Sequence, residues 1–549
     1  REHNQFYNYE QTLDTASYAS ARVNWRGDGS APYVFTIGNN LTLKEGAFRP
    51  SNGNWSIVVS GNVVVESGGT YGYSAGDFEA AATFGSLYAN SGNLYLSTGT
   101  TTINNTNADS YKFRAEGNPI IVHNDGTVVL DASTNGGMYK NTGSNGKWLH
   151  NLTVKNDTSS QRAIQNVYDV FVANNLTVSG AGSDEASWDV GFYNAGDGGY
   201  TVSGLTTIIN GAKLGRSVSS DSTFGKLTIG AKGWYDAPTG SFTLSDDFTI
   251  ASDDTTFTHN SGTAIIAGAV ELLPADYDSS ETARHVFWDI SQTGPNTFYI
   301  ERPTVIERNF VKSGGDLAHY TKCTFGTTSS AGSLTVNSGE WKMYGYYGNP
   351  YLYAASALYP VAISGTATTV INWDTVDNVS RGTKNHIKYI DMQVDTSTGG
   401  GGANVEVDGE VKFRDLTLTD GDILTTNNQR LETDSLLLDG VFNASSSLIV
   451  ANDKLKTNSN STINNSGTSA IVSHSGSSTC RWNRGTWDNI MYRGNGGEVH
   501  FDTNNNNPTN LIVAGGTFNT KGMHFNGITS TRIATGGILN NVDALTAGG

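Results

Sequence analysis

The sequence predicts an all-β chain folded as a parallel β-helix (β-solenoid) of about 20–29 residues per coil, with an irregular N-terminal cap. Three observations support this fold class: a short apolar-Thr-apolar motif recurs at similar intervals, glycine is abundant (65 of 549 residues), and proline is scarce at 10. The alternative fold is an array of β-sandwich or jelly-roll domains, which would pair its strands antiparallel.

The recurring motif is Asn-Leu-Thr-Val and its variants, in which apolar and hydroxyl side chains alternate. Alternation with a period of two is typical of a half-buried strand, and β-branched Thr suits its solvent face. The Gly, Asn, Asp and Ser residues that follow favour turns. Each copy therefore predicts one strand, and the clearest copies begin at Asn40, Asn151, Asn175, Lys226, Asp247, Ser333 and Asp415.

The intervals between copies predict the coil length. They are 24 residues from Leu152 to Leu176, 29 from Leu176 to Leu205, 22 from Leu205 to Leu227, 21 from Leu227 to Phe248, and 20 from Leu416 to Leu436. Coils stacked at this period would align Asn or Thr side chains in hydrogen-bonded ladders. Only 15% of residues are charged, which suits such stacking because like charges on adjacent strands repel.

The chain divides into three predicted regions. Residues 1–110 form an N-terminal capping or attachment region, 111–398 a solenoid with an aromatic excursion at 339–360, and 403–549 a continuing solenoid. Gly399–Gly402 mark the last boundary, as a linker or a coil turn. Two segments, 76–88 and 353–359, have patterns that suit a helical turn or two. Since the sequence begins at Arg1, we expect a processed form or part of a longer polypeptide.

The charge and cysteine content exclude several kinds of partner. Lys and Arg total 34 and Asp and Glu total 51, for a net charge of −17, which argues against nucleic acid. No apolar run has the length of a membrane span, so we expect no membrane insertion. Cys323 and Cys480 lack zinc-type spacing and are expected to be separate core thiols, with one long-range disulfide as the alternative.

Catalytic motifs are absent from the sequence. It has no GxSxG, HExxH or P-loop pattern, and its ten His residues occur singly, as expected of surface or turn residues. Adjacent acids, as at Asp246-Asp247, suit solvated turns, with a catalytic carboxylate pair as the alternative. We therefore predict no enzyme activity, no catalytic residue, no metal site and no cofactor.

The strongest candidate for a binding site is the aromatic excursion. Aromatic rings with polar tips suit sugar contacts and subunit interfaces. Packing on the solenoid wall, a subunit interface, and a receptor or glycan contact all remain open for it. Its aromatic residues are Trp341, Tyr344, Tyr346, Tyr347, Tyr351, Tyr353 and Tyr359.

The repeated Asn-Leu-Thr-Val units, with their Gly, Asn, Ser and Asp turns and low charge, resemble the right-handed parallel β-helices of bacteriophage tail spikes, tail fibres and capsid fibres. They are also similar to filamentous-haemagglutinin-like adhesins. The resemblance covers roughly residues 140–540. It is one of style, and it carries over no functional residue.

This resemblance implies a structural or adhesive component of an extracellular assembly, with a bacteriophage virion surface as the favoured location. It implies a homo-oligomer, with a trimer favoured, that contacts other virion or surface proteins and a host cell-surface glycan. A bacterial surface adhesin and a polysaccharide-degrading β-helix enzyme are the alternatives.

Overall fold

The structure is a computed structural model of the 549-residue chain. It describes residues 5–6, 9–11, 22–26, 33–51, 55–72, 81–104, 111–141, 149–182, 188–194, 196, 198–216, 219–251, 255–274, 285–319, 323–330, 332–338, 341–344, 352–354, 361–364, 368–374, 391–394, 404–408, 411–418, 420, 423–426, 428, 430–458, 461–465, 469–474, 480–482, 487–501, 508–519, 524–540 and 544–547.

The described residues form β-strands and no helix. Accordingly, they contain no helix with the length and apolarity to cross a membrane. The chain forms two compact units, one of Arg1–Ala264 with Leu273–Asp278 and the other of Ile265–Leu272 with Ser279–Gly549. The predicted boundaries near residues 110 and 398–403 stay predictions.

The first strands, in chain order, are β1 Gln5–Phe6, β2 Tyr9–Gln11, β3 Arg22–Arg26, β4 Tyr33–Ile37, β5 Leu41–Leu43, β6 Gly46–Ser51, β7 Trp55–Val65, β8 Gly69–Tyr71, β9 Ala81–Asn90, β10 Asn93–Tyr95, β11 Thr100–Ile103, β12 Phe113–Glu116, β13 Ile120–Val122, β14 Thr127–Asp131, β15 Gly136–Asn141, β16 Asn151–Lys155, β17 Arg162–Asn166, β18 Val170–Val172, β19 Leu176–Ser179, β20 Val190–Asn194, β21 Tyr200–Ile209, β22 Ala212–Gly215, β23 Ser222–Ile229, β24 Trp234–Asp236, β25 Ser241–Leu244, β26 Phe248–Ile250, β27 Thr256–Thr258 and β28 Thr263–Ile266.

The remaining strands are β29 Glu271–Pro274, β30 His285–Gln292, β31 Phe298–Ile300, β32 Thr304–Lys312, β33 Leu317–His319, β34 Cys323–Phe325, β35 Ser333–Val336, β36 Trp341–Tyr344, β37 Leu352–Ala354, β38 Val361–Ser364, β39 Thr368–Asp374, β40 Asp391–Val394, β41 Asn404–Asp408, β42 Val411–Leu418, β43 Ile423–Thr425, β44 Arg430–Leu438, β45 Val441–Ser445, β46 Leu448–Thr457, β47 Thr462–Asn465, β48 Ser469–His474, β49 Cys480–Trp482, β50 Asn489–Phe501, β51 Asn510–Asn519, β52 His524–Ile528, β53 Ser530–Ile533, β54 Gly537–Asn540 and β55 Ala544–Ala547.

The strands pair in parallel with the equivalent strands of the next coil, which confirms the β-solenoid and excludes the antiparallel sandwich alternative. A coil of the first unit has three strands, as in β16, β17 and β18. These pair in order with β19, β20 and the first half of β21. Parallel pairing already links β4 to β7 within the first hundred residues. Strands such as β16 and β19 alternate between half-buried and buried residues, and so present one outer face and one core face.

The core of the first unit contains a row of stacked inward residues on successive coils. All of these residues are buried. The pairing of Leu152 with Leu176 and of Leu227 with Phe248 confirms the predicted intervals between these copies. The row runs through Val128, Leu152, Leu176, Thr206, Leu227 and Phe248. Beside it, half-exposed threonines form an outer ladder of Thr153, Thr177, Thr207, Thr228 and Thr249.

The predicted copy at Leu205 is wrong by one residue. Leu205 pairs with Lys226 on the outer face and is 37% exposed, whereas Thr206 takes the core position. The register of β21 shifts between Val202 and Leu205. A bulge turns each following side chain to the opposite face, so alternation alone misplaces the copy.

The second unit repeats the arrangement. Leu416, Leu436 and Leu455 stack as buried residues on β42, β44 and β46, which confirms the spacing of the first two. Cys323 is a buried free thiol, as expected of a core cysteine, and burial raises its pKa to about 12. The side chain of Cys480 lies outside the described residues.

The prediction of a helical turn within 76–88 is wrong for residues 81–88, which are the ones that the structure describes. Ala81–Asn90 forms strand β9, which pairs with β7 and with β11. Its small residues suit a weak helix, but Phe84 and Leu87 are buried between neighbouring coils, and this packing outweighs local preference. Of the second segment, Tyr353 and Ala354 belong to β37, and residues 355–359 lie outside the described residues.

Candidate functional site

Tyrosines cover part of one outer face of the first unit, on strands β9 and β15 and next to strands β12 and β17. Tyr88, Arg114 and Tyr139 lie beside one another on these successive coils. Each is half-buried and follows a buried residue along its strand, so its side chain points outward. We call this surface the tyrosine face and define it as Tyr88, Tyr111, Arg114, Glu116, Tyr139 and Tyr168.

Arg114 lies at the centre of the tyrosine face. Its guanidinium carbon is 4.9 Å from the ring centroid of Tyr88 and 5.5 Å from those of Tyr111 and Tyr139, within cation–π range. Its Nη2 donates to Oε1 of Glu116 at 2.6 Å, and the hydroxyl of Tyr88 donates to Oε2 at 2.6 Å. These two hydrogen bonds lower the pKa of Glu116. The ionised carboxylate therefore holds Tyr88 and Arg114 in place.

Tyr111 and Tyr168 extend the aromatic surface on either side of Tyr139. Their ring centroids lie 5.3 Å and 5.4 Å from that of Tyr139. A Cβ at Gly137 would be 2.7 Å from a ring carbon of Tyr111, so glycine is required where this ring packs on the backbone. Interaction with the side chain of Tyr168 raises the pKa of Tyr139. The rings are thus held in a fixed arrangement.

A pocket of about 210 Å³ adjoins the tyrosine face and is lined in part by Tyr88, Tyr111 and Arg114. Asn62 and Ser86 line it too, and the hydroxyl of Ser86 donates to Oδ1 of Asn62 at 2.7 Å. Small-molecule pockets usually enclose roughly 300–1,000 Å³. This pocket is smaller than that range.

A second group of polar side chains lies where two coils meet. His123 and Asp125 belong to the turn between β13 and β14, and His150 precedes β16 in the next coil. Nδ1 of His150 and Nδ1 of His123 lie 3.2 Å and 3.4 Å from Oδ1 of Asp125. Burial and the adjacent His150 lower the pKa of His123. We call this group the histidine cluster.

The structure places only part of the predicted aromatic excursion. Trp341 and Tyr344 are the first and last residues of β36, and Tyr353 lies in β37. Trp341 pairs with Leu317, and Tyr353 pairs with Thr324. The role of the excursion stays a prediction. The four other aromatic residues lie outside the described residues: Tyr346, Tyr347, Tyr351 and Tyr359.

The sequence reasoning missed both the tyrosine face and the histidine cluster. The signal was spacing: Tyr88, Arg114 and Tyr139 are 26 and 25 residues apart, and His123 and His150 are 27 apart. These intervals match one coil, and residues one coil apart meet on the same face. Treating each histidine as isolated therefore overlooked its neighbour.

The acidic pair Asp246-Asp247 has a structural environment that accounts for it. Oδ1 of Asp246 accepts the backbone N–H of Asp247 at 2.8 Å. Oδ2 of Asp247 accepts a hydrogen bond from Nζ of Lys226 at 2.7 Å, across adjacent coils. The pair thus serves a turn and an ion pair.

Comparison with known proteins assigns no family. No protein-family model matches the chain, nor does any curated protein or any solved structure. Its function must therefore be inferred from the solenoid itself, from the tyrosine face and from the histidine cluster.

Proposed function

We propose that this protein is a structural and adhesive component of an extracellular assembly, namely a bacteriophage virion protein of the fibre, spike or capsid-decoration kind. The observation that carries the proposal is the tyrosine face, which presents ordered aromatic rings beside an Arg–Glu pair on successive coils. We assign to it the contact with a host cell-surface glycan.

The chemistry of the tyrosine face suits a carbohydrate. The apolar C–H faces of a sugar ring stack on aromatic rings, while its hydroxyls hydrogen-bond to charged and polar groups. Arg114 and Glu116 supply a donor and an acceptor next to the ring of Tyr88. Because the side chains are already held by mutual contacts, little conformational entropy is lost on binding.

Weak contacts of this kind gain strength by repetition. A homo-oligomer, with a trimer favoured, would present several tyrosine faces to a repetitive polysaccharide, and linked sites raise avidity without new contacts. Light scattering coupled to size-exclusion chromatography measures the oligomer. A monomer would favour the alternative, a bacterial surface adhesin, over the virion protein.

The glycan contact is tested with Tyr139→Ala and a panel of purified bacterial surface polysaccharides. We expect wild-type protein to bind at least one of them, and Tyr139→Ala to bind it about tenfold more weakly, because the central ring of the stack is lost. The matched control is Tyr299→Ala, which removes a half-exposed tyrosine of β31 in the second unit.

Circular dichroism of both variants checks that the strands remain intact. Equal losses of binding in Tyr139→Ala and Tyr299→Ala would contradict the assignment of the tyrosine face, and so would full retention in Tyr139→Ala. Release of reducing ends from a bound polysaccharide would instead favour the alternative of a polysaccharide-degrading enzyme.

A further inference from the structure

The histidine cluster contains three side chains with metal-binding atoms from two adjacent coils. Thr127 pairs with Asn151, and the backbone N–H of Asn151 donates to the carbonyl of Gly126 at 3.1 Å. This ladder contact places His150 beside the turn that carries His123 and Asp125. One ligand atom from each of the three side chains lies within 4.8 Å of the other two.

Two of the three distances in the cluster are those of a small coordination site. A metal bound at about 2.0–2.1 Å by tetrahedral ligands separates them by roughly 3.3–3.4 Å. The distances from Oδ1 of Asp125 to Nδ1 of His150 and of His123 are 3.2 Å and 3.4 Å. The third edge, between the two histidines, is within 4.8 Å, so an ion would draw the two rings together around Asp125.

The protonation of His123 is compatible with coordination through Nδ1. Nδ1 of His123 accepts the backbone N–H of Asp125 at 3.1 Å, so in the neutral ring the proton is on Nε2 and the Nδ1 lone pair faces the turn. A bound ion would take over this lone pair from the backbone N–H. The side chain of Asp125 is 78% exposed, which leaves room for solvent to complete the coordination.

A second turn in the same unit shows which residues the turn itself requires. In His259-Asn260-Ser261-Gly262, Nδ1 of His259 accepts the N–H of Ser261 at 2.9 Å, and Nδ2 of Asn260 donates to Ala237 at 2.7 Å. The first turn makes the same two bonds, with Nδ2 of Asn124 donating to Leu96 at 2.8 Å.

Both turns also share their backbone conformation. Asn124 and Asp125 have φ of 43° and 58°, and Asn260 and Ser261 have φ of 47° and 60°. Ser261 thus occupies the position of Asp125, so the turn has no need of a carboxylate there. Asp125 and His150 are therefore additions that the turn geometry does not explain.

We propose that His123, Asp125 and His150 bind a divalent transition-metal ion of the zinc class. Two imidazole nitrogens and one carboxylate oxygen suit Zn²⁺ and its neighbours, whereas Ca²⁺ and Mg²⁺ prefer oxygen ligands alone. The ion would join the turn of one coil to the start of β16 in the next. It would thereby stabilise the stacking of these coils.

The test uses the full chain, freed of metal with a chelator, and zinc chloride as the probe. We expect calorimetric titration to show zinc binding at one high-affinity site, and zinc to raise the temperature of thermal unfolding. Asp125→Ser introduces the residue of the second turn and should fold, yet weaken zinc binding at least about tenfold, as should His150→Ala. Calcium chloride should produce no shift.

The matched control is His259→Ala, which removes the histidine of the second turn and should leave zinc binding at the wild-type affinity. No zinc binding by the wild-type chain would overturn the proposal. Unchanged zinc binding in the double variant Asp125→Ser/His150→Ala would overturn it too, because the ion would then be bound elsewhere. Circular dichroism distinguishes lost binding from lost folding.

Discussion

Thr206 places a hydroxyl group in a row of apolar core side chains. It stacks between Leu176 and Leu227 and is fully buried, and its Oγ1 has no hydrogen-bond partner among the described residues. The register shift between Val202 and Leu205 brings it there. Glycine suits this bulge because a Cβ on Gly204 would lie 2.7 Å from the carbonyl oxygen of Asn174. A buried hydroxyl without a partner is costly.

Thr206→Val should therefore stabilise the protein. The replacement keeps the shape and removes the unpaired hydroxyl, so we expect the free energy of unfolding to rise by about 1–2 kcal/mol, measured from urea midpoints. The control is Thr207→Val on the outer ladder, which should change the free energy of unfolding by less than about 0.5 kcal/mol. A lower midpoint for Thr206→Val would show that the hydroxyl is satisfied in the folded protein.

Lys112 is a cation in the core of the first unit. Its side chain is fully buried, and Nζ donates to Oγ1 of Thr134 at 3.1 Å. Burial lowers the pKa of Lys112 to about 8, although Asp131 acts in the opposite direction. Between this value and its ordinary pKa of about 10.4, the unfolded chain binds a proton that the folded chain does not bind.

The free energy of unfolding should therefore rise with pH between about pH 8 and pH 10.4, because the unfolded chain binds the proton at Lys112 and the folded chain does not. The penalty of the buried charge is fully present below pH 8 and is relieved by up to about 3 kcal/mol by pH 10.4. Comparing the thermal unfolding of wild-type protein and Lys112→Met from pH 7 to pH 10 separates the contribution of Lys112 from that of other titrating groups. We expect Lys112→Met to be more stable than wild type at pH 7 and this difference in stability to shrink as pH rises. A difference in stability that stays constant with pH would contradict the lowered pKa of Lys112.

Asparagine ladders connect adjacent coils at the ends of strands. Oδ1 of Asn151 accepts from Nδ2 of Asn174 at 3.0 Å and from the N–H of Asn175 at 3.3 Å. Oδ1 of Asn175 in turn accepts the N–H of Leu205 at 2.9 Å. The second unit has a comparable ladder, in which Nδ2 of Asn510 donates to Oδ1 of Asn489 at 2.7 Å. These contacts confirm the asparagine ladders expected from the repeats.

Removing one rung should loosen the strand start that it supports. In Asn151→Ala the N–H of Asn175 loses its acceptor, so we expect that amide to exchange with deuterium about fivefold faster, equivalent to about 1 kcal/mol. Mass spectrometry of peptides that cover the start of β19 measures this. Asn151→Asp keeps the acceptor oxygen and should remain close to wild type. Equal exchange in Asn151→Ala and wild type would mean that the rung adds no local stability.

The sequence predicts where a strand forms better than it predicts which residues of the next coil that strand pairs with. The alternation in Leu152-Thr153-Val154 predicts a strand with Leu152 and Val154 inward, and both are buried. The partner of each strand depends on the length of the intervening loops and on bulges. Leu152 and Leu176 are 24 residues apart but Leu176 and Thr206 are 30 apart, so a constant period misplaces Leu205.

Across the whole molecule, parallel stacking accounts for the unusual composition. In the described strands, paired residues lie beside their equivalents on the next coil, so side chains there are favoured when they are neutral or opposite in charge. Lys226 pairs with Asp247 across coils, and Lys213 pairs with Asp236. Glycine fits where backbones approach closely, since a Cβ at Gly85 would lie 2.5 Å from the carbonyl oxygen of Gly61.

The sequence by itself determined the all-β class, the parallel coil and the inward positions of most repeats, because alternation and turn residues act over a few neighbouring positions. Only the tertiary structure decided which distant side chains meet. His123 and His150, or Arg114 and Tyr139, come together because their coils close in a particular register. That register depends on hydrogen bonding between coils and on bulges such as the one at Gly204, which single-strand patterns do not encode.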